Sequence, residues 1–214
     1  MPSDALKEYR LNLRDVRRLL AAHDASNQQA PGKRALGHFT RGGMLLLCAA
    51  WERYSESVLE ESAAFLARRL ASARALPASA LQATRNHANN PATPWLAPQV
   101  NSPTWGAIYV ASVQARTKTL NTPKHKQLAS LFTTYIGIAD IEKAWSSGKS
   151  EIDTFVAHRG DIAHRGGQSR YVRVGNLREA INAVDRYVRE TDNFLSDHLS
   201  HLVAPPGRPW NRIL

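Results

Sequence analysis

The sequence predicts an all-α fold: a bundle of four to five main helices with a long irregular loop at residues 76–104. Apolar residues recur at three- and four-residue spacing in several long segments, as they do on the buried face of a helix. The best candidate for a strand, Tyr171–Val174, has only four residues, and no repeat of solenoid length is present. A chain of 214 residues, 43% of them apolar, therefore suits one helical domain, 1–204, with a short tail at 205–214.

The first helix is predicted over residues 3–25. Leu6, Leu13 and Leu20 share one apolar face, and Ser3 is placed to cap the amino-terminal end. Another face carries basic residues at helical spacing, and these are candidate phosphate contacts: Arg10, Arg14, Arg17 and Arg18. Like charges at this spacing repel each other. The face is therefore either simply solvated or relieved by an anionic partner, and the repulsion favours the partner.

A second, longer helix is predicted from about residue 33 or 35 to about residue 74, with a weak point at Gly42–Gly43. Its first half is apolar nearly all round, which indicates burial on several sides. The single cysteine, Cys48, lies in this stretch and is predicted to be a buried, unreactive thiol. Glu52 falls in line with core positions, where a carboxylate needs a partner. Glu52 either forms an ion pair between helices or orients a catalytic arginine or histidine.

The rest of the chain has weaker patterns. Prolines and asparagines interrupt residues 76–104, which predicts the long loop. Residues 105–120 are ambiguous. Further helices are expected near 124–135, 138–147, 151–164 and 176–202. Gly166–Gly167 is expected to end the third of these. The prolines of the tail at 205–214 exclude a helix and predict that it lies on the surface or contacts a partner.

The charge balance gives the first indication of function. The 28 lysines and arginines outnumber the 18 acidic residues, for a net charge of +10. Such an excess attracts phosphate backbones, although it also serves solubility or an acidic protein partner. No apolar run approaches the roughly 20 residues that cross a bilayer, and the polar start does not resemble a signal peptide. We therefore expect a cytoplasmic protein without membrane contact.

Residue types suited to catalysis are concentrated in one segment, Ala157–Gly167. It brings together two histidines, two arginines and an acid: His158, Arg159, Asp161, His164 and Arg165. A histidine can take or give a proton near neutral pH, and an arginine can bind phosphate oxygens and stabilise the transition state. RNA supplies its own nucleophile, the 2′-hydroxyl. The segment therefore suits RNA cleavage without a metal or another cofactor. The alternative is that these cations only complement the dipole at a helix end.

The spacing within this segment limits how it can work. Arg159 and His164 are five residues apart, which places them about 140° apart around an ideal helix. Either the helix breaks locally at Gly160 or Gly166, or the site is composite. A symmetric dimer with this segment at its axis would bring two arginines and two histidines together, and so supply both an acid and a base. Asp161 lies three residues before His164, so on a helix the two would share a face.

The segment Arg159-Gly-Asp-Ile-Ala-His164 resembles the R-x(4–6)-H motif of HEPN-domain ribonucleases, and its surroundings resemble the RiboL-PSP-HEPN branch. Leu45–Tyr54 is similar to the Trp-Glu helix of that branch, and Leu120–Pro123 and Phe155–His164 are similar to its later blocks. The resemblance covers roughly residues 5–200. One departure is Gly160, because many members have asparagine directly after the arginine.

The resemblance implies an all-α, HEPN-like bundle that forms a homodimer, in which paired motifs make a metal-independent endoribonuclease site. Related proteins act as toxins in toxin–antitoxin systems and in anti-phage defence, which implies an antitoxin or defence-system partner protein. The catalytic residues would be Arg159, His164 and Asp161. Glu52 matches the acidic position of the Trp-Glu helix and would support the site. His158 and Arg165 are rivals or auxiliary phosphate binders, because Ala-His-Arg-Gly occurs twice.

Two alternatives remain open at the level of sequence. Some HEPN domains are inactive, so the chain is alternatively a non-catalytic module that binds nucleic acid or protein. A third interpretation is a structural helical protein whose basic face binds an acidic, antitoxin-like partner.

Overall fold

A computed structural model describes residues 1–28, 36–121, 123–165 and 172–213. Within these ranges the chain forms seven α-helices: α1 (Asp4–Gln28), α2 (Gly37–Arg69), α3 (Ala78–Ala88), α4 (Trp105–Thr117), α5 (His125–Ile136), α6 (Ser150–Arg165) and α7 (Val174–His201). Shorter 3₁₀ helices occupy Ala73–Ala75, Pro94–Asn101 and Ile141–Ala144. The described ranges contain no β-strand, which confirms the all-α prediction. No helix among them is long and apolar enough to span a membrane.

The helices with long apolar stripes lie close to where the sequence predicts them. Ser3 caps α1 as expected, since its hydroxyl accepts a hydrogen bond from the Leu6 amide at 2.9 Å. The predicted weak point at Gly42–Gly43 is wrong, because α2 runs unbroken through it. A Cβ atom on Gly43 would lie 2.6 Å from Leu177 Cδ2, so this glycine permits the close packing of α2 on α7.

The prediction of a long irregular loop at 76–104 is wrong. It contains α3 and a 3₁₀ helix, so the bundle has more helices than the four to five expected. The prolines flank α3, since Pro77 precedes it directly. The buried side of α3 consists of Ala80, Thr84 and Ala88 at four-residue spacing. Small residues of this kind give a weak hydrophobic signal, although they permit close packing. The ambiguous segment 105–120 likewise forms α4, and 138–147 contains only a short 3₁₀ helix.

The centre of the bundle is α2, which packs against α1, α4, α5, α6 and α7. Trp51 lies at its middle, and the indole N–H donates a hydrogen bond to the Pro123 carbonyl at 3.1 Å. The rings of Tyr54 and Tyr187 lie 6.2 and 6.4 Å from the Trp51 ring. The Tyr54 hydroxyl donates to the Val188 carbonyl at 3.0 Å. These hydrogen bonds satisfy polar atoms in the core, and they hold α7 and the chain at Pro123 against α2.

The tail folds back onto its own chain rather than projecting from the bundle. Trp210 is buried, and its indole N–H donates to the Asp192 carbonyl at 3.0 Å. The Asn211 amide donates to the Met1 carbonyl at 2.9 Å. Arg208 pairs with Asp197 at 2.7 Å. Both chain ends are therefore joined to the carboxyl-terminal half of α7.

Candidate functional site

The segment that carries the histidines and arginines lies on α6, which is continuous from Ser150 to Arg165. The predicted break at Gly160 is therefore wrong. Ile152, Phe155 and Ile162 are buried along one side of α6, so packing holds the helix straight across the glycine. Gly166, the other predicted break, lies outside the described residues.

Arg159 lies on the core-facing side of α6, and its side chain is half-buried. Burial raises the pKa of the Cys48 thiol on α2 to about 11, the Arg159 charge lowers this pKa, and the Glu52 charge raises it. Both charges thus lie close enough to act on one buried atom. Cys48 and Glu52 are four residues apart on one face of α2. The structure therefore brings Arg159 and Glu52 to the same turn of α2, and it confirms Cys48 as a buried thiol.

His164 lies on a different side of α6. It is exposed, as is Ala157, and both lie on the outward side of the helix with Gly160. On a straight α6, His164 is about 140° around the axis from Arg159. The two motif residues therefore diverge within one chain, one toward the core and the other toward solvent.

A third side of α6 borders a cavity of about 460 Å³. The cavity lies between the end of α6 and the start of α7, and Met44 of α2 also lines it. Its polar lining residues are His158, Asp161, Arg173 and Asn176. Asp161 thus shares this cavity with His158, whereas His164 is not among the described lining residues.

Two polar residues of this cavity, Arg173 and Asn176, were not among the predicted site residues. Asn176 accepts a hydrogen bond from the Arg173 amide at 3.2 Å, which caps the start of α7. The Thr40 hydroxyl donates to the Val172 carbonyl at 2.8 Å and joins this segment to α2. The only signal in the sequence is a polar residue three positions into a helix. That signal indicates a cap and does not indicate a cavity.

The remaining predicted residues are distributed around the bundle. All four α1 arginines are exposed, namely Arg10, Arg14, Arg17 and Arg18. Arg18 pairs with Asp15 at 2.9 Å. α1 and α6 both pack on α2 and α7. The side chain of Arg165 lies outside what the structure describes.

Within the described ranges, histidine, cysteine and acidic side chains form no group of three or more suited to hold a metal ion. The titratable groups of the site are instead divided among the three sides of α6. Arg159 lies with Glu52 on the inner side, His158 with Asp161 at the cavity, and His164 on the outer side.

Comparison with known proteins gives one match. The sequence model of the family described as RiboL-PSP-HEPN matches residues 11–197, which includes every helix that lines the site. None of the curated proteins and none of the solved structures searched matches the chain.

Proposed function

Because the chain belongs to the RiboL-PSP-HEPN family, we propose that it is an endoribonuclease that needs no metal or other cofactor. Membership of a HEPN family supports a nuclease or nucleotide-binding role. The net charge of +10 is consistent with an RNA substrate. We further propose that the enzyme acts as a toxin or an anti-phage effector, restrained by an antitoxin or another defence-system partner.

The observation that carries this proposal is the divergence of Arg159 and His164 on an unbroken α6. The two side chains leave α6 about 140° apart, so a phosphate beside His164 lies on another side of the helix from Arg159 of the same chain. A two-fold symmetric homodimer resolves this difficulty, because the second α6 offers its own arginine and histidine across the axis. The exposed side of α6, with Ala157, Gly160 and His164, is the face through which two copies would meet the RNA.

In the shared site one His164 takes the proton from the 2′-hydroxyl, whose oxygen then forms a bond to phosphorus. The bond from phosphorus to the 5′-oxygen breaks, and the other His164 gives a proton to that oxygen. The products are a 2′,3′-cyclic phosphate and a free 5′-hydroxyl. Arg159 stabilises the negative charge that grows on the phosphate oxygens. Glu52 lies near Arg159 and positions it, Asp161 is the polar residue of the catalytic motif, and His158 is an auxiliary phosphate binder.

The α1 arginines extend this proposal to the rest of the RNA. Arg10, Arg14 and Arg17 are exposed at helical spacing, and their repulsion is relieved by a phosphate backbone. They would bind RNA without reading its sequence, because phosphate contacts carry no base information.

The test uses variants and a mixed dimer. We expect Arg159→Ala and His164→Ala each to lower RNA cleavage about 100-fold or more, the range for losing a group that stabilises transition-state charge or a general acid–base group. A dimer of one parent chain and one chain with both substitutions separates the mechanisms. Independent sites would retain half of the parent rate, whereas a shared site retains less than about one tenth. Two different affinity tags allow the mixed dimer to be purified.

Two results would contradict the proposal. If either single variant cuts RNA as well as the parent, the motif is not catalytic. If the parent binds RNA with a strong salt dependence but never cuts it, the chain is a non-catalytic binding module. A mixed dimer with half of the parent rate would contradict the shared site alone, and the catalytic roles would stand.

A further inference from the structure

A second pocket, lined by charged, polar and leucine side chains, opens where the end of α4, the start of α5 and the start of α6 meet. Its volume is about 600 Å³. The charged side chains that line it are Arg116, Lys124, Lys126 and Asp153. Hydroxyl and amide groups line it as well, from Thr119, Asn121, Gln127 and Ser130.

The pocket has an excess of positive charge. Asp153, its one carboxylate among the described lining residues, accepts a hydrogen bond from the His125 amide at 2.7 Å. Considering the part of the chain that the structure describes, no carboxylate forms an ion pair with Arg116, Lys124 or Lys126. The Arg116 guanidinium donates to the Thr119 hydroxyl at 3.2 Å, which restrains it at the pocket edge. Three exposed cations therefore converge on a concave surface that an anion can enter.

The position of the pocket on α6 connects it to the proposed catalytic side. Asp153, Ala157, Gly160 and His164 follow each other at four, three and four residues, so they lie along one side of the helix. Eleven residues correspond to about 16 Å along the axis. Between the two ends, Ala157 has only a methyl group and Gly160 has no side chain, so a bound strand can approach the helix backbone closely at Gly160.

The lining of the pocket indicates which part of a nucleic acid it suits. No aromatic ring is present among its described lining residues, so it does not offer base stacking. Cations with amide and hydroxyl groups instead suit phosphate oxygens and ribose hydroxyls. About five nucleotides at a stacked spacing of roughly 3.4 Å span the distance to His164.

We propose that this pocket binds the phosphate backbone of the RNA strand about five nucleotides away from the cleaved bond. The inference rests on the proposed ribonuclease function for its substrate, and it adds a subsite that holds the flank of that substrate. The pocket captures single strands irrespective of sequence, and it favours RNA long enough to occupy both ends of the outward side of α6.

The test measures binding separately from cleavage. A fluorescein-labelled 12-nucleotide oligomer of 2′-deoxyuridine cannot be cut through a 2′-hydroxyl, so its anisotropy reports binding alone. We expect Lys124→Gln/Lys126→Gln to weaken binding about tenfold at low salt. The slope of log Kd against log salt should fall by about 1.4, or 0.7 for each lost phosphate contact.

The matched control is Arg68→Gln/Arg74→Gln. It also removes two exposed cations, but Gly106 packs against Ala67, so these arginines lie beyond the opposite end of α4. We expect the control to bind the oligomer within about twofold of the parent, because surface charges distant from a ligand contribute little. Both variants should melt at the parent temperature, since all four side chains are exposed.

Cleavage of two RNAs provides the second measurement. The lysine variant should lower kcat/KM about tenfold on a 12-nucleotide RNA and leave a dinucleotide substrate unaffected, because a dinucleotide at His164 cannot reach the pocket. The pocket proposal would be overturned if the lysine variant bound the oligomer as tightly as the parent, or if the control lost as much affinity as the lysine variant. It would also be overturned if poly-glutamate displaced the labelled oligomer as well as the unlabelled oligomer does. A parent that never cuts RNA would overturn the proposed function, and a loss of binding confined to the lysine variant would still support the pocket.

Discussion

The two ends of α7 have opposite surroundings. Near its carboxyl-terminal end, Asp192 and Leu195 are completely buried, and the buried Trp210 of the tail donates a hydrogen bond to the Asp192 carbonyl. At its amino-terminal end, Arg173 and Asn176 are exposed at the rim of a cavity beside α6. One end of the helix thus contributes to stability, while the other leaves polar groups available to a ligand.

The buried end also contains polar atoms that the fold only partly satisfies. The Ser3 hydroxyl donates a hydrogen bond to one oxygen of Asp192, while the second oxygen has no hydrogen-bond partner among the described residues. A buried carboxyl without full pairing destabilises the protein when it ionises. The two ends of α7 therefore differ in their apolar packing. The buried end is stabilised by apolar contacts, although the Asp192 carboxyl opposes them.

The largest expected effect on stability comes from removing the anchor of the tail. Trp210→Ala should lower the free energy of unfolding by about 3–5 kcal/mol, because it opens a cavity and removes the hydrogen bond to the Asp192 carbonyl. Urea unfolding followed by circular dichroism measures this. Trp95→Ala is the control, since Trp95 is 60% exposed and should change stability by about 0.5 kcal/mol or less. If the two substitutions lowered the free energy of unfolding equally, the tail would not contribute to stability through Trp210.

The next effect depends on pH. Burial raises the pKa of Asp192 from 3.8 to about 6, while its hydrogen bond from Ser3 lowers it. Between these values the folded protein binds a proton that the unfolded chain has lost. The stability that this proton contributes is therefore fully present well below pH 4 and is lost as pH rises through 6. Relative to Asp192→Asn, the parent should lose about 2 kcal/mol of unfolding free energy between pH 4 and pH 7. Urea unfolding of both proteins at pH 4–7 measures the difference, and parallel curves would disprove it.

How much of this contrast the sequence predicts depends on side-chain size. Long apolar stripes predict α1, α2, α6 and α7, and the line of core positions on α2 correctly indicates a buried Cys48. The buried side of α3 consists of Ala80, Thr84 and Ala88, and a helix with such small residues is not distinguished from a proline-flanked loop.

The sequence singles out Arg159 and His164 as candidate residues, but it does not give their arrangement. The spacing of Arg159 and His164 gives their angle on a straight helix, but Gly160 left open whether α6 stays straight. Only the packing of Ile152, Phe155 and Ile162 decides this. The cavity with Arg173 and Asn176, and the pocket with Lys124, depend on contacts between distant segments, which local patterns do not encode.

The smallest effects compare two helical glycines. Gly43→Ala should destabilise the protein by about 1–3 kcal/mol, since its Cβ would lie 2.6 Å from Leu177 Cδ2. Gly160→Ala should stabilise it by about 0.5–1 kcal/mol, because no atom lies within 4 Å of a Cβ there and alanine favours the helix. Thermal or urea unfolding distinguishes the two signs.

Gly160→Ala also tests why a glycine occupies this position. Its methyl group would project from the side of α6 that carries His164, where we propose that the RNA and the second chain meet. Crowding a packed contact by one methyl group costs about 1–3 kcal/mol, so we expect RNA cleavage to fall about tenfold while the protein becomes more stable. If the variant gains stability and cleaves RNA at the parent rate, this side of α6 contacts neither the substrate nor a partner chain.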